Sequence, residues 1–208
     1  MGRHIEPVCR LCRREGMKLF LKGARCDTPK CGVERRESPP GMTTGRRSKP
    51  TDYGTHLREK QRVKRYYGVL ERQFRKYFAQ AERTKGHTGE ALMTLLERRL
   101  DNIVCRLGLG QSRAQARMMI THGHITLNGR TVNVPSYLVR PGDVIRVKQR
   151  PKSGQYVEAV RAENKREVPD FLSLVETPEL EGRVLRLPEA ADVSIPVQTQ
   201  LIVELCSK

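Results

Sequence analysis

The chain has 208 residues, with 40 Lys+Arg against 23 Asp+Glu, for a formal charge of +17. At about 150 residues per domain this length gives one or two small domains, and 37% hydrophobic with 5% aromatic content supports only modest cores, which argues against a large catalytic domain. No apolar run approaches the ~18–20 residues needed to span a bilayer, and Met1-Gly2-Arg3-His4 leads into no apolar signal segment, so a cytoplasmic protein is expected.

The cations are concentrated. Residues 1–85 hold 23 Lys+Arg and 9 Asp+Glu, a net +14, and residues 98–152 hold 11 and 2, a net +9. Residues 153–208 reverse the sign, with 6 basic and 10 acidic residues. A sustained positive field selects a polyanion, either nucleic acid or an anionic membrane. A membrane-surface helix would present exposed Trp, Phe or Leu to lipid; there is no Trp, and the apolar stripes read as core, so nucleic acid is the expected partner.

Four of the six cysteines fall in one stretch as Cys9-x2-Cys12-x13-Cys26-x4-Cys31. Tetrahedral zinc takes four thiolates at about 2.3 Å, and each close pair supplies two ligands from one turn, so one structural zinc is expected. Two disulfides would need an oxidising compartment, and an iron–sulfur cluster would use the same ligands. Arg10, Arg13, Arg14, Arg25 and Lys30 surround the sulfurs and favour thiolates. No His or Glu accompanies the set to leave an open coordination position, which points to a structural site. Cys105 and Cys206 stand alone and are expected to be buried or half-buried.

From Ser38 to Pro50 the chain is turn-rich and basic, a linker or an RNA-contacting loop. Beyond it Leu57, Val63, Tyr67, Leu70, Phe74, Tyr77 or Phe78, and Ala81 recur at helical steps, with Gly68 expected to split the helix. Arg58, Lys60, Arg62, Lys64, Arg65, Arg72, Arg75 and Lys76 lie between them, too many for i,i+4 acids to neutralise, so phosphate contact is expected. Thr88 is placed to cap a helix running through Leu107. Ser112-x-x-Gln115 forms a capping box for a short helix through Ile120, closed by His122-Gly123. Ile125 and Leu127 alternate before Asn128-Gly129, a type I′ turn pair, and Val132 and Val134 resume the alternation. Pro141-Gly142-Asp143 turns into a strand from Val144 to Val147. Residues 153–168 are helix-compatible, and Arg183–Leu187 and Leu201–Cys206 alternate as short strands.

Within this unit Arg99, Asn102 and Arg106 fall on one helix face away from the apolar stripe, and Arg113 and Arg117 pair at i,i+4 on the next helix. The four arginines are expected to clamp phosphates of a folded RNA, because the guanidinium fork donates two parallel bonds. No dinucleotide fingerprint, phosphate-loop motif or nucleophile–base pair is legible, and no catalysis is expected.

Several blocks together resemble a bacterial-type small-subunit ribosomal protein of the S-four family, over nearly the whole chain. They are Cys9-Arg10-Leu11-Cys12-Arg13-Arg14-Glu15-Gly16, Asp52-Tyr53-Gly54, Leu57-Arg58-Glu59-Lys60-Gln61 and Tyr67-Gly68-Val69-Leu70-Glu71-Arg72-Gln73-Phe74-Arg75. Leu100-Asp101-Asn102-Ile103-Val104, Gly123-His124-Ile125-Thr126-Leu127-Asn128-Gly129-Arg130 and Leu201-Ile202-Val203-Glu204-Leu205 complete the set. The resemblance implies the zinc-bearing type, primary binding to 16S ribosomal RNA, nucleation of small-subunit body assembly, and a part in translational accuracy with the S-five and S-twelve ribosomal proteins. It also implies that Arg46, Arg47 and Lys49 lie near the channel through which messenger RNA enters. Pro40-Gly41-Met42-Thr43-Thr44-Gly45 departs from the family's usual linker. No homo-oligomer is expected.

The expected fold is α+β. Residues 1–45 form a zinc-binding segment and basic linker, and 46–97 a helical domain completed by about 188–208. Residues 98–187 form an inserted RNA-binding module, core 98–160, with two helices and a small antiparallel sheet. A pseudouridine-synthase-like enzyme has too little chain after the module, since a catalytic domain needs at least ~100 residues. A zinc-bearing DNA-binding regulator lacks a finger pattern or a dimerising heptad.

Overall fold

The computed structural model describes residues 4–42, 49–148, 151–163, 167–177 and 179–207. Two compact units emerge, one of residues 1–92 with 195–208 and one of residues 93–194.

The first unit opens with α1 (Cys9–Glu15), which stops because Gly16 takes φ +68° and returns its N–H to Arg13, while Met17 N–H reaches Cys12. A 3-10 turn (Gly23–Asp27) and the one-turn α2 (Gly32–Arg35) follow. Thr51 caps α3 (Asp52–Tyr66), its hydroxyl oxygen accepting from Gly54 N–H at 3.1 Å. Gly68, at φ +63°, splits α3 from α4 (Glu71–Glu82), as its position in the pattern predicts. Val63, Tyr66, Tyr67, Phe74, Tyr77, Phe78 and Ala81 are all buried along these helices.

The end of the chain departs from expectation. Residues expected as a strand form α9 (Thr199–Cys206), which packs against α3 with Ile202 fully buried. A short run such as Leu-Ile-Val-Glu-Leu-Cys satisfies either period, and the helix that it packs against decides. Gln198 N–H donates to Glu59 at 3.4 Å and His56 faces Glu204 at 3.5 Å, tying the same pair of helices.

The second unit is built on a five-stranded antiparallel sheet, in the order β2-β1-β3-β5-β4. The strands are β1 (Ile125–Leu127), β2 (Arg130–Thr131), β3 (Val144–Val147), β4 (Leu172–Thr177) and β5 (Glu179–Val184). Asn128 at φ +50° and Gly129 at φ +79° make the expected tight turn, with Leu127 opposite Arg130. The second strand of that hairpin is shorter than the alternation through Val134 predicts. β5 begins ahead of the predicted strand at Arg183, and its partner β4 is new. α6 (Leu100–Arg106), α7 (Arg113–Thr121) and α8 (Pro151–Glu163) complete the unit; Ile103, Leu107, Ala116 and Ile120 pack with Ile125, Ile145, Leu172 and Val184 in one core. Gly182 permits this approach, since a Cβ there would sit 2.4 Å from Leu107 Cδ1.

The helix expected from Thr88 through Leu107 is two helices, α5 (Thr88–Glu97) and α6. The chain turns extended at Arg99 (φ −65°, ψ 135°), where it bridges Leu138. Leu100 N–H donates to the Tyr137 carbonyl and Asp101 N–H to that of Pro135, so a loop nearly forty residues away satisfies the start of α6. Apolar spacing continues across the break and conceals it.

Candidate nucleic-acid interface

On α3 the expected cation stripe is largely paired within the chain. Glu15, whose side chain is fully buried, accepts from Arg58 at 3.4 Å and from Arg65 through the same oxygen. Burial pushes the Glu15 carboxyl up, while Arg65 and Arg58 pull it down. Arg62 pairs with Glu59. Glu71 gathers Lys60 at 2.6 Å, Lys64 at 2.7 Å and Arg75 at 3.2 Å. Burial alone would raise the Glu71 carboxyl, but the hydrogen bonds from Lys60, Lys64 and Arg75 outweigh it and hold the pKa at about 2.

A carboxyl depressed on folding stabilises above its unfolded pKa and loses that contribution as pH falls through its folded one. Acidification from about pH 4.5 towards 2 should therefore weaken the α3–α4 latch. Glu71→Gln should flatten this limb of the unfolding midpoint against pH; an unchanged slope would show that the cluster is not linked to folding.

Of the cations expected between Arg58 and Lys76, those left without an ion pair among the described residues lie on α4. Arg72 and Lys76 are exposed at i,i+4 with no ion-pair partner among the described residues, and exposed Arg83 continues the same row past the helix end. Arg75, though it touches Glu71, keeps 76% of its side chain exposed. Lys49 is exposed; Arg46 and Arg47 lie outside the described residues.

In the second unit the structure corrects the placement of the expected clamps. Arg99, Asn102 and Arg113 are 2%, 1% and 9% exposed, not surface groups. Arg99 Nε donates to Asp101 Oδ1 at 3.0 Å, and Arg117 reaches the other oxygen at 3.4 Å. Asn102 donates to the Glu97 carboxylate at 2.6 Å and to the Glu97 carbonyl at 2.9 Å, while its own oxygen accepts from Arg113 Nε at 2.8 Å. Arg106, partly buried, lies 3.6 Å from the Glu97 carboxylate and donates to the Asp192 carbonyl. These side chains sit off the apolar stripe because they form a buried polar layer where α5, α6 and α7 meet, an alternative that helical periodicity alone does not separate from exposure.

Cys9, Cys12, Cys26 and Cys31 line one small pocket with Val8, Leu21 and Val33, and none is in a disulfide. Burial pushes the Cys12 and Cys26 thiols up, and nearby cysteine sulfurs push the same way. Lys22 N–H donates to Cys26 Sγ at 3.4 Å. Among the described residues no three His, Cys, Asp or Glu side chains are arranged as a ready metal-ligand set. The donors nevertheless fit zinc: four soft sulfurs share one apolar pocket, and a divalent cation would offset both the burial of the thiolates and their mutual repulsion. Arg10, Arg14, Arg25 and Lys30 are exposed in the same segment, whereas Arg13 is spent on the Ser38 and Pro39 carbonyls.

An exposed cation row on α4 and, in the second unit, helices packed on a five-stranded antiparallel sheet accord with a nucleic-acid-binding class of protein. Residues 3–97 match the family described as Ribosomal protein S4/S9 N-terminal domain, and residues 98–145 match the S4 domain. Small ribosomal subunit protein uS4A of Symbiobacterium thermophilum is 53% identical over 208 residues, and uS4 of Thermoanaerobacter pseudethanolicus is 54% identical over 208, each alignment covering 100% of both chains. The uS4 of Caldicellulosiruptor bescii is 54% identical over 209 residues, again with 100% of both covered. The chain belongs to the uS4 family of small-ribosomal-subunit proteins, a structural and non-enzymatic family. Among the described residues no helix is long and apolar enough to cross a membrane.

Proposed function

We propose that this chain is a structural component of the cytoplasmic small ribosomal subunit that binds 16S ribosomal RNA directly, nucleates assembly of the subunit body and contributes to translational accuracy. Membership of the uS4 family supports the assignment, and the unpaired row Arg72, Lys76 and Arg83 is the observation that carries direct RNA contact. Its neighbours on α3 serve mainly to hold the helices together through Glu15, Glu59 and Glu71. Lys49, with Arg46 and Arg47, reaches messenger RNA where it enters the subunit, and the S-five and S-twelve proteins are the expected protein neighbours.

One zinc ion, held by Cys9, Cys12, Cys26 and Cys31, is part of this reading; the shared sulfur pocket supports it. The ion supplies cross-linking of a segment too short to hold a core, not catalysis. Residues 1–45 as a zinc segment with linker, 46–97 as a helical domain completed by about 188–208, and 98–187 as the RNA-binding module complete the proposal.

The test is salt dependence. Each neutralised phosphate adds roughly −0.7 to −0.9 to the slope of log affinity against log salt. Replacing Arg72, Lys76 and Arg83 together by Gln should make that slope shallower by about 2 for a 16S ribosomal RNA transcript. An unaltered slope in a variant with native circular dichroism would remove α4 from the interface.

A further inference from the structure

The turn between α5 and α6 assembles a second cation pair, apart from the row on α4. The Arg98 carbonyl accepts from Val139 N–H at 3.0 Å, and Arg98 Nε donates to the Val139 carbonyl at 3.1 Å. The guanidinium of half-buried Arg98 is therefore laid against the 139–140 peptide, whose nitrogen belongs to Arg140. That nitrogen is fixed in turn, donating to Asp143 Oδ2 at 2.8 Å. Burial, and then repulsion from Arg140, holds Arg98 below the usual arginine value.

A half-buried arginine held against the peptide that precedes a second arginine is stabilised by an anion that approaches both cations. No ion pair among the described residues supplies it. Residues 98–152 contain two acids, Asp101 and Asp143, and neither pairs with the Arg98 or Arg140 guanidinium. Asp101 holds Arg99 and Arg117, while Asp143 accepts from Asn128 Nδ2 and from the Arg140 backbone. Neither the Arg98 nor the Arg140 guanidinium has an acidic partner among the described residues. Arg98 has spent Nε on Val139, which leaves its terminal nitrogens for an outside acceptor, and exposed Arg140 offers its whole fork. A phosphate, with several acceptor oxygens, can bridge two such forks. The net +9 of residues 98–152 favours a polyanion over an acidic protein segment.

We propose that Arg98 and Arg140 form a phosphate-binding pair that grips a backbone phosphate of folded ribosomal RNA. The pair rests on the RNA-binding reading above and places a contact in the second unit. Periodicity missed both residues, because Arg98 falls at a helix end and Arg140 in a loop; the signal was the absence of free acids around them.

The experiment uses the full chain and compares Arg140→Gln, Arg98→Gln/Arg140→Gln and the triple α4 variant. Binding to a 16S ribosomal RNA transcript and to an unrelated RNA duplex is measured across a salt series. The pair variant should lose roughly tenfold in affinity for the transcript, the scale of one charge-assisted contact, with a slope shallower by about 1. Arg140→Gln, at an exposed position, should lose severalfold with unaltered thermal unfolding, so the result does not depend on whether the double variant folds. Native transcript affinity in Arg140→Gln and in the double variant, beside a weakened α4 variant, would overturn the pair and leave the RNA reading standing. Native affinity in all three would overturn both. Equal loss on the transcript and on the unrelated duplex would assign the pair to nonspecific attraction and overturn the grip on folded ribosomal RNA.

Discussion

Exchange of Cys26 for Ser is expected to unfold the segment between Val8 and Arg36, and chelation of the proposed zinc should do the same. Of the aliphatic side chains there, Leu19 alone is fully buried, and the remaining buried groups include Cys12, Cys26 and Cys31 themselves. Helices of seven and four residues are far below the ~12–15 that hold in water unaided. Structural zinc contributes about 10–16 kcal/mol in small domains, enough to decide whether such a segment folds. Elemental analysis of protein purified under reducing conditions should give one zinc per chain, and amide exchange across residues 9–35 should collapse to unprotected rates in the variant. A metal-free preparation with native exchange, or native protection in Cys26→Ser, would overturn the zinc. A brown chromophore would keep the four ligands and change the ion.

The effect should travel beyond the cysteines. α1 carries Cys9 and Cys12 on the same seven residues as Glu15, and Glu15 is the buried partner of Arg58 and Arg65. Fraying α1 withdraws that carboxylate from α3 and leaves two partly buried cations without it.

Local signals in the sequence were strong where the chain fixes its own geometry. Gly68 and the Asn128-Gly129 turn act through backbone conformations that neighbouring residues cannot override, and both stand where the pattern puts them. Ser112 caps α7 as expected, although Gln115 reaches Gln111 N–H at 3.0 Å. Signals failed where a distant segment decides. The break at Arg99 is held by backbone groups of Pro135 and Tyr137, and α9 is helical against α3, neither of which spacing can reveal. The pairing and burial of the candidate interface residues are hidden from spacing for the same reason. Counting acids at i,i+4 could not show that Glu15 answers Arg58 and Arg65 from 43 and 50 residues away, or that Arg99, Asn102 and Arg113 turn inward. The four cysteines were legible because their two pairs need only short loops to meet.

Asp101→Ala should destabilise the second unit by about 3–5 kcal/mol, the usual cost of removing one partner from a buried ion pair. Asp101 and Arg99 are each 2% exposed, and the two carboxylate oxygens accept separately from Nε and Nη2 of the guanidinium. Removal of the carboxylate takes its ion-pair partner from a cation that solvent barely reaches, and it withdraws a partner from Arg117 on α7. The loss falls at the extended turn that starts α6, so the Leu138 bridge and the α6–α7 contact should weaken together. Arg99→Met/Asp101→Leu separates charge from packing: apolar groups of similar volume leave no buried charge, so the double variant should recover most of the loss. With no Trp in the chain, urea unfolding is best followed by far-ultraviolet circular dichroism, with amide exchange over residues 100–121 as the local reporter. A loss below about 1 kcal/mol in Asp101→Ala would mean that water reaches Arg99 and that the pair behaves as a surface bridge. A double variant as unstable as the single would mean that the pair fixes the chain path by its hydrogen-bond geometry and not through charge balance.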